Sequence, residues 1–369
     1  MTRAFRRLYD AASDVTEGNQ VMDQSWAAAG NDGVNGSWRF GVLGDEAVIG
    51  VADEDMADFT RAASRIAESH AEKELDDPVV LGAAEMARRF LPDFLVEQLI
   101  RFRVAGNEPG TLLLRNLPVE TALPKTPVDG KLAGPWAALP LSTLTQLSVM
   151  SVLGDTVSYA DEKEGRLVQD ICPQPGAEER QENSGSVLLD LHTEDSFHPC
   201  KPDYLSLYCL RSDPDDDAFT VTGSIRAALP LLSPACAATL REPLFRTRFS
   251  SSFTGDAEPR HTSPRPVLTG PADDPDLCVN FFGTQALGER AATALDELRG
   301  AVEKVLCGVV LRPGDMIVID NRVAVHGRTG FTPRYDGTDR WLRRSFAVAD
   351  LRPSRALRQG DSRVCAAIR

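Results

Sequence analysis

The sequence predicts an α+β protein: a β-sandwich or barrel with helices packed on one side of it. Three observations predict this. Between about 50 and 153 the apolar residues recur mainly at helical spacing. From about 155 onward the period is mostly two, in many short runs separated by turn formers. No repeat, low-complexity linker or hinge-like stretch divides the chain, so residues 51–369 read as one domain and 1–50 as an N-terminal extension, in part irregular.

Taken in order, the extension contains "AAAGNDGVNGSWRFGVLGDEAVIG", rich in Gly, Asn and Asp, which is either irregular or holds a short hairpin. "DEDMADFTRAASRIAESHAEKEL" then places Met56, Phe59, Ala63 and Ile66 on one helical face. "VVLGAAEMARRFLPDFLVEQLIRFRV" continues as helix, broken in two by Pro92. "TLLLRNLPV" is a buried strand between Gly110 and Pro118, and "STLTQLSVMSVLGD" is a helix stopped by Gly154. Further strands are expected at 186–191, 204–210, 244–250, 265–269, 276–282, 308–311, 316–320 and 341–348, with one helix at 288–306.

The bulk properties are those of a globular chain, with 42% hydrophobic and 25% charged residues. A net charge of −14 argues against nucleic acid or an anionic membrane as a partner, because both repel acidic proteins. The seven cysteines are scattered, odd in number and without a C-x-x-C, which reads as buried thiols in a reducing cytosol rather than a disulfide frame or zinc site. There is no apolar segment after the N-terminal arginines and no run long enough to span a bilayer. The expectation is a cytoplasmic protein.

Chemistry concentrates in "LLDLHTEDSFHPCKPDYLSLYCL". His192 and Glu194 end a strand two residues apart, so both side chains face one side. His326, in a loop after the strand Met316 to Asp320, is the candidate third ligand. Two imidazoles and one carboxylate leave three positions open on a metal, the facial triad of non-heme Fe(II) oxygenases. Fourteen residues beyond His326, Arg340 follows a turn-rich segment that returns it as part of a neighbouring strand. Its guanidinium suits a carboxylate, as in a 2-oxo acid chelating the metal at its other end.

"LHTEDSFHP", "DPDDDAFTVTGSI" and "IDNRVAVHGRTGFTPRYDGTDRWLRRSF" resemble the clavaminate synthase-like Fe(II)/2-oxoglutarate oxygenases, in particular their amino-acid hydroxylase branch. The likeness runs from about 110 to 365. It implies a double-stranded β-helix (jelly-roll) core, iron on His192, Glu194 and His326, and Arg340 on the far carboxylate of 2-oxoglutarate, with Thr220 beside it. It also implies O2 as co-oxidant and an amino-acid substrate. The presence of Glu194 implies hydroxylation rather than halogenation. Arg344 falls where the substrate carboxylate is bound, and Glu162 and Asn183 where its amine and nearby groups are held.

The departure lies in "DLCVNFFG": Asn280 stands where arginine- and asparagine-acting relatives carry an acid, and Cys278 where arginine-acting ones carry a second. A buried cation needs a carboxylate, whereas Asn280 both donates and accepts. The expected substrate is therefore a free L-amino acid with a neutral polar side chain, such as citrulline or glutamine, oxidised at an unactivated C3 or C4 in specialised peptide or antibiotic biosynthesis. The alternatives are arginine or lysine, or an amino acid tethered to a carrier protein. From other classes come a non-catalytic jelly-roll binding protein and a zinc hydrolase; Arg340 has no use in the second.

Overall fold

The structure is a computed structural model that describes residues 38–254 and 258–368. Most of the expected N-terminal extension lies outside the described residues. Along the chain come β1 (Val48–Gly50), α1 (Ala57–His70), α2 (Pro78–Ala87), α3 (Asp93–Ala105), β2 (Thr111–Arg115) and α4 (Pro140–Leu153). Then follow β3 (Asp155–Tyr159), β4 (Gln169–Ile171), β5 (Leu189–His192), β6 (Tyr204–Arg211), β7 (Thr220–Ser224), α5 (Ile225–Ala228), α6 (Pro234–Leu240), β8 (Phe245–Thr247) and α7 (Ser251–Thr254). The last elements are β9 (Leu268–Thr269), β10 (Asp276–Leu277), β11 (Thr284–Ala286), α8 (Glu289–Glu303), β12 (Cys307–Val309), β13 (Met316–Asp320), β14 (Ala324–Arg328), β15 (Trp341–Val348) and β16 (Val364–Cys365).

The chain is α+β, with helices gathered N-terminally. An eight-stranded sheet runs β1-β2-β13-β6-β15-β3-β16, with β4 beside β15, and a four-stranded sheet runs β12-β7-β14-β5. Alternation along the strands divides the core. Leu112, Leu114, Tyr208, Met316 and Val318 pack one face of the large sheet onto α1 to α4. Leu113, Leu205, Leu207, Ile317, Leu342 and Phe346 occupy its other face. Each such side chain contributes about 1.5–3 kcal/mol on burial. Leu191, Val221 and Val325 of the small sheet pack outward against Ala294, Leu298, Ala301 and Val302 of α8.

Pro92 stands before α3 with extended backbone and separates it from α2, as its ring requires. Helix α4 is buried over Ser142 to Leu153. Its buried Gln146 donates to Ser206 Oγ (2.9 Å) and to the Arg343 carbonyl (3.0 Å), which keeps the amide nitrogen satisfied inside the core.

Three expectations change. The strand expected at 276–282 stops at Leu277, because the chain turns at 280–284, where Gly283 N–H and Thr284 N–H donate to the Asn280 carbonyl. His326 is not in a loop but in the middle of β14. The strand carrying Arg340 onward is not the neighbour of the histidine strand: β14 pairs with β5 and β7, whereas β15 pairs with β6, β3 and β4 in the other sheet. The turn-rich segment between them crosses from one sheet to the other. Val48–Gly50, within the stretch read as the extension, pairs in parallel with β2.

Candidate functional site

The functional side chains lie in the space between the two sheets. His192 ends β5 and stands directly opposite His326 on β14, which is why two residues far apart in sequence meet. Their ring centroids are 4.3 Å apart. Glu194 follows two residues later, with Oε2 3.5 Å from His326 Nε2. One ligand atom from each of His192, Glu194 and His326 lies within 4.8 Å of the other two.

The scaffold holds these groups closely. His192 Nδ1 is 2.8 Å from the Asp190 carbonyl, an arrangement that leaves Nε2 free to serve as a donor. Asn321 pins the backbone of Glu194 from both sides: its Oδ1 accepts from Glu194 N–H (2.7 Å) and its Nδ2 donates to the Glu194 carbonyl (3.1 Å) and the Pro202 carbonyl (2.8 Å). Burial and the nearby His326 push His192 down to about 4, so its ring is neutral at pH 7. Burial alone would raise Glu194, but Arg344 and the two imidazoles outweigh it and hold the carboxylate ionised. His326 Nδ1 is buried without a hydrogen-bond partner among the described residues. A neutral His192, a second imidazole and an ionised carboxylate, crowded together, are a donor set that fits a divalent iron with an open face.

Arg344 is fully buried, with Nη1 3.1 Å from Glu194 Oε2, and it also contacts Glu162 and Gln169. These two glutamates outweigh its burial and raise its pKa, so it stays a cation. Asn183 and Glu162 line the cavity beside the ligands. Asn280 bridges to His192, but its Oδ1 accepts from Phe282 N–H (3.0 Å) and Gly283 N–H (2.9 Å). The acceptor expected to face a substrate is thus used by the turn.

Arg340, just before β15, donates from Nη2 to Thr220 Oγ1 of β7 at 3.2 Å. Arg328, one of the cluster of arginines that the C-terminal sequence carries, lies opposite Thr220 on β14 and donates to the Val187 carbonyl (2.7 Å). Both arginines are buried, and neither forms an ion pair among the described residues. Burial pushes Arg340 down to about 10, and burial together with Arg340 pushes Arg328 to about 9. Two guanidiniums without an ion-pair partner among the described residues, beside a hydroxyl, fit a bound carboxylate.

His198 is buried against Tyr159 and its Nδ1 accepts from Cys200 N–H (3.0 Å), outside the ligand cluster. The seven cysteines are free thiols. A larger cavity, of about 250 Å3, lies on the opposite face of β15, lined by Trp136, Thr143, Asp170 and Arg343, and holds no such ligand cluster among the described residues.

Residues 138–346 match the taurine catabolism dioxygenase TauD, TfdA family. The chain belongs to this family. Within it, the dioxygenase is 44% identical to an L-asparagine oxygenase of Streptomyces coelicolor over 79% of this chain and 87% of that one. It is 34% identical to clavaminate synthase 2 of Streptomyces clavuligerus over 70% and 80%. An asparagine oxygenase solved with Fe(II), 2S,3S-3-hydroxyasparagine and succinate superposes with a TM-score of 0.82, at 40% identity, over 87% of this chain and all of that one. The oxygenase OrfP with Fe and alpha-ketoglutaric acid gives 0.74 at 30% identity, over 86% and 99%. The likeness to the clavaminate synthase-like amino-acid hydroxylases is thereby borne out, and the dioxygenase uses Fe(II), 2-oxoglutarate and O2. Among its described residues no helix is long and apolar enough to cross a membrane.

Proposed function

We propose that this dioxygenase hydroxylates a free L-amino acid with a neutral polar side chain, such as glutamine or citrulline, at an unactivated C3 or C4. The two facing sheets are read as a double-stranded β-helix core. His192, Glu194 and His326 hold the iron, and Arg340 with Thr220 holds the far carboxylate of 2-oxoglutarate. The observation that carries the reading is the pairing of a ligand cluster within 4.8 Å with a buried, unpaired Arg340 on Thr220. A zinc hydrolase has no need of that second feature.

When bound, iron and 2-oxoglutarate supply oxidation of a C–H bond by O2, with release of succinate and CO2. The chain supplies position. Arg344 and Glu162 form a buried cation–anion pair beside Glu194, a template for the carboxylate and ammonium of an amino-acid zwitterion. Asn183 and Asn280 line the same cavity. The named complexes of asparagine oxygenase and OrfP hold free hydroxylated amino acids, which supports a free rather than a carrier-tethered substrate.

The test is anaerobic titration of Fe(II) and 2-oxoglutarate. A weak visible charge-transfer band is expected, lost in His192→Ala. Succinate release is then screened over the common amino acids and citrulline, and the added oxygen located by NMR. No band, and no succinate with any amino acid, would overturn the reading.

A further inference from the structure

Glu162, the partner of Arg344 in the cavity wall, is not on a strand. It closes a turn just past β3, where its N–H donates to the Tyr159 carbonyl at 3.0 Å. Another part of the same wall is Phe197, Ser250 and Ser252. The segment 363–368 reaches both. Its strand β16 pairs in parallel with β3, and Ala160 N–H donates to the Cys365 carbonyl (2.9 Å). Past β16, Ile368 N–H donates to Asp161 Oδ2 at 3.0 Å, inside the turn that presents Glu162. The carbonyl of the same residue accepts from Arg260 Nη1 at 3.1 Å. Arg260 lies over the Phe249 ring at 4.2 Å, and its own carbonyl accepts from Phe249 N–H (2.9 Å). Phe249 packs on Phe197, with ring centroids 4.8 Å apart, and leads directly into Ser250. Ile368 thus ties together two chain segments, distant in sequence, that wall one cavity. Arg363 anchors the start of the segment, on Asp155 (3.1 Å) and Glu85 (2.9 Å).

We propose that Ile368 is a positioning residue for the substrate: through Asp161 and Arg260 it fixes the turn carrying Glu162 relative to the wall at Ser250, and so sets where an amino acid lies beside the metal ligands. This inference rests on the reading of Arg344 and Glu162 as the template for an amino-acid zwitterion. Arg344 holds the Glu162 carboxylate but not the backbone that delivers it. That backbone is a turn, free of any sheet ladder, and its bond to Ile368 restrains it from the side away from Arg344's strand. Both bonds to Ile368 involve an ionised side chain, which makes them stronger than neutral ones. Precision matters here, because a misplacement of about 1 Å costs on the order of 100-fold in rate. The bonds that Ile368 makes reach none of His192, Glu194, His326, Arg340 and Thr220. Their loss therefore loosens the substrate and leaves metal and cosubstrate in place.

The test is steady-state kinetics of the full chain in air with Fe(II) and 2-oxoglutarate, following succinate and hydroxylated amino acid together. The probe is whichever of the twenty common L-amino acids and citrulline releases most succinate with the wild type. Asp161→Ala removes the acceptor for Ile368 N–H. It is expected to raise KM for that amino acid about 10-fold and to lower the hydroxylated product formed per succinate, because a misplaced C–H goes unoxidised while 2-oxoglutarate is consumed. Asp161→Asn keeps an accepting oxygen and should restore both quantities. Arg260→Met keeps a chain over Phe249 but drops the donor, and should act in the same direction as Asp161→Ala; it decides the matter if Asp161→Ala does not fold. The Kd of 2-oxoglutarate, by anaerobic titration, should stay at the wild-type value throughout. A lowered Tm with KM and the product-to-succinate ratio unchanged, or an Asp161→Asn as impaired as the alanine variant, would overturn the inference and leave the hydroxylase reading standing. If the wild type binds 2-oxoglutarate but no amino acid releases succinate, the amino-acid reading falls and this inference with it.

Discussion

Replacing Arg340 by Gln should stabilise the protein without its cosubstrate and abolish stabilisation by it. Burial pulls Arg340 from the ordinary arginine range down to about 10. A base with a lowered folded pKa is destabilising while it is charged. The cost is fully present below pH 10, vanishes only above the unfolded value, and so applies in full at pH 7. It amounts to about 3 kcal/mol. Glutamine removes the charge and can still meet the Thr220 hydroxyl, which Arg340 reaches at 3.2 Å. A net gain of roughly 2 kcal/mol corresponds to a rise in Tm of about 3 °C for a chain of this length. With 2-oxoglutarate at 100 times its Kd, the wild type gains about 2.7 kcal/mol. Losing the buried partner of the cosubstrate carboxylate costs about 3–5 kcal/mol, so the variant gains almost nothing from the same concentration. Scanning calorimetry with anaerobic Fe(II), with and without 2-oxoglutarate, should show the two proteins exchanging order. A variant less stable than wild type in the absence of 2-oxoglutarate, and still shifted equally by it, would refute the reasoning.

Asp170 accepts from Trp341 Nε1 (2.9 Å) and Leu132 N–H (2.7 Å) and lies 3.4 Å from the buried Arg343, so Asp170→Asn should lose about 3–5 kcal/mol. Calorimetry should show the drop in Tm, and titration at low temperature an unchanged affinity for 2-oxoglutarate. Asn321→Ala removes three hydrogen bonds around the Glu194 backbone and should weaken iron binding by about 10–100-fold, measured by competition with a chelator. Gly154→Ala drives a Cβ into the Val348 carbonyl, a backbone group that cannot swing away, and should cost about 1–3 kcal/mol or more in denaturant unfolding.

What could be read without coordinates follows from which physical signals are local. The spacing of His192 and Glu194 needs only the geometry of one chain segment, and Pro92 breaks its helix by its own ring. The strands β7 and β14 escaped notice because "TVTGS" and "AVHGR" each contain glycine and polar residues, which weaken a strand signal. The fold tolerates them because they face a polar chamber on one side and α8 on the other. Arg328 stands in the sequence only as one of several C-terminal arginines, and gains its meaning from its place opposite Thr220.

The run His326-Gly327-Arg328 shows how register and chemistry depend on each other. His326 and Arg328 are two residues apart and face the chamber together, while Val325 packs outward. A slip of one residue would turn both polar side chains onto the hydrophobic layer under α8 and put valine into the chamber. Gly327 guards against that slip. A Cβ there would stand 2.6 Å from the Leu189 carbonyl and 2.8 Å from the Trp38 ring, so no side chain fits at that level of the strand. The small residue lets β5 approach closely enough for His192 to meet His326 across the ladder. The glycine that obscured the strand in the sequence is thus the residue that lets the two imidazoles share one site.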